Sequence, residues 1–174
     1  MPFVTAQGLR GEPRVNRSCL VVAIVAIFAA IVAIAVVFGT DVFFTVVGRP
    51  ALARTSAPAM LEAMGRMHEV ADRRMPVFGI IGLAGCALAV VLMPRARLAT
   101  STALAAQLLW LAIYAKINKP LNARMIEAAR AGGALPDVRD ARGWQKHWES
   151  ALVPRSLLMG IALVALLLTI VLAR

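Results

Sequence analysis

The chain has 174 residues, of which 60% are hydrophobic and only 16% charged, with a mean hydropathy of +0.77. Soluble domains carry roughly 45–50% apolar and about 25% charged residues, and so short a chain cannot hide the surplus in a water-facing core. An ordinary soluble enzyme and a disordered chain are thereby excluded, leaving an integral membrane protein of one domain. The formal charge is +10, from 19 Lys and Arg against 9 Asp and Glu. No basic block with interleaved aromatics occurs, so the surplus is assigned to the flanks and loops of membrane helices, with no nucleic-acid partner. Cys19 and Cys86 fall at depths about 10 Å or more apart, at roughly 1.5 Å per helical residue, which disfavours a disulfide.

Four apolar runs follow in order. The first opens at Cys19 behind a basic lead, Arg10, Arg14 and Arg17, and its apolar character continues past Gly39-Thr40-Asp41 to Val47. It is longer than a signal-peptide core and reads as a retained helix over 19–40. Asp41 is either a functional intramembrane acid or a hydrated group just outside the core. The second run, 76–93, opens with Pro76, suited to a first helical turn, and is closed by Pro94. Its Gly79, Gly82 and Gly85 form a smooth strip for close packing. The third, 99–117, contains Gln107 and ends near Trp110 and Tyr114; the fourth is 154–173. Each can cross a hydrocarbon core of roughly 30 Å, and in lipid such spans must be helical.

The expected fold is therefore an all-α integral membrane protein: a four-transmembrane-helix up-down bundle with additional short helices in two long connections. Those connections, 48–75 and 118–153, fall on the same face. Together with the helix ends they carry 13 of the 19 basic residues, which assigns them to the cytoplasmic side of what is expected to be the bacterial cell membrane. The bilayer is the expected partner, and a homo-oligomer stays open.

In the first connection a helix is predicted from Ala57 to Met75. Met60, Met64, Met67, Ala71 and Met75 share one face, Glu62, Arg66, Glu69 and Arg73 the other, and His68 lies at the edge. This is an amphipathic helix on the bundle or in the interface, or a soft metal site, since thioethers with imidazole suit copper. In the second connection, Asn118-Lys119-Pro120 reads as a helix break: Asn118 as N-cap, Pro120 in the first turn, and Gly132-Gly133 ending the short helix. Asn122 is left unexplained. A further helical segment starts near Asp137 and runs into the fourth span. Trp144, His147, Trp148, Ala151 and Arg155 lie within about 100° of one of its faces. The stripe is either an interfacial aromatic belt with a snorkelling arginine or a pocket wall. In the second case the indoles stack on an aromatic ligand, the imidazole moves a proton and the guanidinium holds an oxyanion. No P-loop, dinucleotide fingerprint, CxxC or HExxH occurs.

Pro50-Ala51-Leu52, Ala63-Met64-Gly65-Arg66-Met67, Asn118-x-Pro-x-Asn122 and the Trp148…Arg155 pair together resemble the anthrone oxygenase-like family of small four-helix membrane proteins. The resemblance spans most of the chain. Ala151 and Leu152 stand where the family usually shows a second Trp and an Asn. The resemblance implies oxidation of an anthrone or polycyclic phenol to a quinone by O₂, in polyketide tailoring within secondary metabolism, with no organic cofactor. His147 or His68 would be the base, Arg155 with Asn118 and Asn122 the anion stabilisers, and Trp144 with Trp148 the slot for the aromatic small-molecule substrate. No metal is predicted on that reading. One alternative is a copper- or iron-dependent membrane oxidase using His68, His147, Met64 and Met67. Another is a non-catalytic carrier or accessory membrane subunit, in which Asp41 and Gln107 matter more. The oxygenase reading expects His68, His147 and Arg155 around one cavity at the boundary nearest the connections.

Overall fold

The computed structural model describes residues 17–132 and 138–172, and every described element is helical. Helix α1 (Arg17–Phe43) passes through a π-helical turn (Phe44–Gly48) into α2 (Arg49–Ala53). Next come α3 (Ala57–Arg74), α4 (Pro76–Leu92), a 3₁₀ turn (Pro94–Ala96), α5 (Arg97–Ile113), a second π-helical turn (Tyr114–Asn118) and α6 (Lys119–Arg130). Helices α7 (Val138–Ser150) and α8 (Leu152–Leu172) follow. The basic lead at Arg10 and Arg14, together with Gly133, Asp137 and Ala173, lies outside the described residues.

Three rods, Arg17–Ala53, Pro94–Arg130 and Arg139–Leu172, are long and apolar enough to cross a membrane. The pair α3–α4, bent by 42°, makes a fourth if read as one broken span. Helix α1 packs against α4 and α8, and α5 packs against the same two. Their shared core is built largely from small residues, among them Ala23, Ala30, Cys86, Ala89, Ala103 and Ala162. Large apolar side chains point outwards instead: Val32 is 62% exposed, Val91 70% and Leu157 63%. Small residues let helix backbones approach closely where lipid supplies no competing hydrophobic drive. Gly85 shows how closely, since a Cβ there would sit 2.7 Å from the Ala26 carbonyl oxygen and from the Ala30 methyl.

A second apolar cluster joins α3, α6 and α7 through Met60, Leu61, Met64, Leu121, Met125, Ala141, Trp148 and Leu152. Helix α3 starts where Ser56 accepts a hydrogen bond from the Ala59 amide at 3.4 Å, an N-cap. Its buried face is Ala57, Met60, Leu61, Met64, Gly65 and His68, while Met67 is 40% exposed. The predicted methionine stripe is thus rotated: the face is anchored on Leu61 and Gly65, because Gly65 lets α3 seat directly on Met125 and Ala129 of α6.

The helix break expected at Asn118 is replaced by continuous helix. Asn118 has right-handed helical dihedrals and makes no capping bond, and the rod runs on through a π-helical turn. The cause is Pro120. A proline offers no N–H to the carbonyl four residues back and its ring collides with it; a wider π turn moves that carbonyl aside without ending the helix. The same solution occurs 70 residues earlier, where the turn Phe44–Gly48 precedes Pro50. Gly132, with φ +74°, ends the segment after α6 as expected of a glycine in the left-handed region.

Adding a methyl at Gly65 pushes α3 off α6, since the new Cβ would meet the Met125 carbonyl oxygen and, at 2.5 Å, the Ala129 methyl. Gly65→Ala should cost about 1–3 kcal/mol, the usual range for overpacking, in denaturant unfolding of the purified protein in detergent. Gly79→Ala, where nothing lies within 4 Å of the new Cβ, should be neutral or slightly stabilising.

Candidate functional site

Where α3 bends into α4, the helices enclose a cavity of about 250 Å³. Val37, Thr40, Asp41 and Phe44 line it from the first rod; Trp110, Leu111, Tyr114 and Asn122 from the α5–α6 rod. His68, Ala71, Asp72 and Met75 come from the end of α3, Pro76, Gly79, Ile80 and Leu83 from α4, and Trp148 and Arg155 from α7 and α8. The walls are mostly apolar, and the polar groups are gathered at the α3 end.

Those polar groups form one connected set. Arg155 Nη2 donates to Asp41 Oδ1 at 2.7 Å, with both side chains buried. Trp110 Nε1 donates to the other Asp41 oxygen at 3.3 Å. The Arg155 guanidinium lies 5.2 Å from the Trp110 ring centroid and 5.9 Å from that of Tyr114, within cation–π range, and these two rings are stacked on each other. Tyr114 Oη donates to Asp72 Oδ1 at 3.0 Å, and Asn122 Nδ2 donates to the same oxygen at 2.9 Å. Trp148 Nε1 in turn donates to Asn122 Oδ1 at 2.9 Å. Asn122, unexplained by the helix-break reading, thus bridges α3 and α7.

His68 closes the set. It is 5% exposed, its ring centroid is 5.1 Å from that of Trp148, and its Nε2 is buried without a partner. Burial pushes its pKa down to about 4; the Asp72 carboxylate pulls it upward, and the Arg155 charge pushes it further down. At neutral pH it is an uncharged imidazole. Arg155 Nε is likewise buried and unpartnered.

The structure therefore brings His68, Asn122, Trp148 and Arg155 together and leaves three other predicted residues out. His147 is exposed. It sits about 100° around α7 from Trp148, at the far edge of the stripe, and the helix buries the opposite flank, Ala141 and Gln145. The expected cavity shared by His68, His147 and Arg155 thus forms without His147. Trp144 packs against the second apolar cluster and does not reach the cavity. Asn118 is buried behind it, its Nδ2 donating to the Trp148 carbonyl at 3.5 Å, and positions Trp148 without lining the space. The four metal-ligand candidates do not converge: Met64 is packed in the α3–α6 core, Met67 is exposed, His147 is exposed, and only His68 lines the cavity. Among the described residues, no group of three or more His, Cys, Asp and Glu could hold an ion.

Sequence reasoning missed Asp72 altogether and noted Trp110 and Tyr114 only as residues near a span end. A signal existed for all three. His68 and Asp72 are four apart on α3, and Trp110 and Tyr114 four apart on the α5–α6 rod, so each pair shares a helix face. No family model, curated protein or solved structure matches this chain.

The buried neutral His68 has a consequence for stability. Its folded pKa, about 4, lies below the ordinary 6.5, so the unfolded chain binds the extra proton between those values. Stability is complete above pH 6.5 and declines as pH falls towards 4, by up to about 3 kcal/mol at roughly 1.4 kcal/mol per pKa unit. Unfolding curves at pH 7 and pH 4.5 should show the loss in the wild type and a smaller loss in His68→Phe.

Proposed function

We propose that this protein spans a bilayer four times in up-down order, with α3 and α7 on the cytoplasmic face, and oxidises a flat phenolic or anthrone-like molecule with O₂ in the cavity. The observation that carries the reading is the unpartnered Nε2 of His68 in an aromatic-walled space that also holds a buried arginine. Trp148, Trp110 and Phe44 provide faces for a flat ring system. His68, not His147, then serves as the base, taking a proton from the methylene across the central ring from the carbonyl or from a phenolic hydroxyl. Arg155 stands by the oxygen on which the resulting negative charge settles, through its free Nε. The electron-rich anion reduces O₂ directly. An anthrone methylene loses two hydrogens and gains one oxygen atom, and the second oxygen atom leaves as water.

This reading is compatible with the resemblance to the anthrone oxygenase-like family and assigns no role to copper or iron, since the thioether and imidazole candidates do not meet. A carrier is the second reading: Asp72 Oδ1 and both Asn122 side-chain polar atoms are already bonded to neighbours, as in a site that only holds its ligand.

Oxygen uptake with an anthrone substrate, followed with an electrode on purified protein, separates these readings. His68→Ala should lower turnover by about 10²–10⁴, the usual effect of removing an acid–base group. His147→Ala should leave turnover within about two-fold, since nothing links its side chain to the cavity. Saturable binding with no oxygen uptake would select the carrier. Uptake that survives His68→Ala would refute the assigned base.

A further inference from the structure

The cavity is polar at one end and open at its side. Its α4–α5 flank is bordered by Gly79, Ile80, Leu83 and Leu111, none of which has a polar side chain. Two of them line the interior and are also exposed on the outer surface, Ile80 to 67% and Leu111 to 39%, which marks a mouth. One turn along, α4 and α5 are in contact: a Cβ at Gly82 would stand 2.5 Å from Gln107 Nε2. At Gly79 a Cβ would meet nothing within 4 Å. The two helices therefore close below Gly79 and part beside it.

We infer that the ligand enters from the hydrocarbon phase through this gap between α4 and α5, and that it is a ring phenol carrying a flexible apolar tail that stays in the gap. The inference rests on the proposed ring-binding role of the cavity. Size supports it. At about 250 Å³ the space is smaller than the roughly 300–1,000 Å³ of pockets that enclose a whole drug-sized ligand. A flat head fills it, and any further carbon must pass outwards. Chemistry supports it too. A phenolic oxygen seeks the end where His68 and Arg155 have unpartnered nitrogens, and the opposite path out is walled by aliphatic groups and a bare glycine. A tail lying there replaces acyl chains at Ile80 and Leu111 without uncovering any polar group.

The test compares 2-naphthol with 2-naphthol bearing a dodecyl chain distal to the hydroxyl. Binding to the full chain in nanodiscs is read by energy transfer from the cavity tryptophans and corrected for partition into empty nanodiscs. The wild type should bind the tailed probe at least about 10-fold more tightly, reflecting the apolar surface buried in the gap. Gly79→Phe, which fills the gap, should cut the ratio of the two affinities to within about two-fold, whatever its effect on 2-naphthol alone. If Gly79→Phe does not fold, Ile80→Trp makes the same comparison from the outer lip. Equal affinity of the two probes for the wild type, or equal weakening of both by the variants, overturns the tail and gap assignment alone. Failure of the wild type to bind either probe overturns the ring-binding reading beneath it.

Discussion

The buried ion pair between Asp41 and Arg155 is the contact on which the site is organised. Moving a carboxylate and a guanidinium out of water costs several kcal/mol per ion, recovered only where geometry is good and the remaining polar atoms are occupied. Here the pair is at 2.7 Å and Trp110 supplies a bond to the second carboxylate oxygen, while Arg155 Nε is left without a partner. Asp41 belongs to α1, Trp110 to α5 and Arg155 to α8, so a single electrostatic requirement sets the relative height of three helices. Loss of either charge would leave the other buried alone, at a cost of about 3–5 kcal/mol. The remaining contacts follow outward. Stacking on Trp110 holds Tyr114, Tyr114 reaches Asp72, Asp72 receives Asn122, and Asn122 holds Trp148 against His68.

The place of the cavity follows from an internal repeat. The α1–α2 and α5–α6 rods each contain a π-helical turn two residues before a proline, 70 residues apart. Thr40, Asp41 and Phe44 in the first rod correspond to Trp110, Leu111 and Tyr114 in the second, and all six line the cavity. A π turn alters the direction of the side chains around it, and both turns do so at the cavity end of the bundle. The two halves have diverged in content. Where one presents the carboxylate Asp41 the other presents Leu111, and where one presents Phe44 the other presents Tyr114. A repeated backbone with unlike side chains yields a space with one polar end and one apolar side, an asymmetry that a symmetric pair of rods would lack.

The helical class and the apolar segments were legible in the sequence because they depend on composition and local period. Span-sized apolar runs in a weakly charged chain leave few alternatives, and Pro76 and Gly132 mark helix ends by local chemistry. What was not legible depended on rotation and on distance along the chain. The aromatic stripe on α7 spans about 100°, wide enough that one edge, Trp148, faces the cavity while the other, His147, faces outwards; periodicity alone does not choose the edge. Asn118 and Pro120 read as a break because local propensity does not register a π turn held by tertiary packing. Asp72 was passed over among the charges of an amphipathic helix, since its partners Tyr114 and Asn122 are 42 and 50 residues away. The two alternatives for Asp41 differ in the same way: its partner stands 114 residues on.

The distribution of charge bears on how a neutral phenol would be handled. Before any proton moves, Asp41 and Arg155 balance each other, His68 is uncharged, and Asp72 Oδ1 accepts two hydrogen bonds. Transfer of a proton to His68 would create a cation and an anion at once in a poorly hydrated space. The cation would arise under the influence of Asp72, whose field already favours the protonated imidazole. The anion would arise beside Arg155, whose unpartnered Nε can donate to it without displacing Asp41 from Nη2. Each new charge would thus meet a pre-existing one of opposite sign, and the Asp41–Arg155 pair would stay in place. Such preorganised fields act most strongly where water is scarce. The low pKa of His68 would rise beside a ligand anion, so the base would be strongest only while its own product lies next to it.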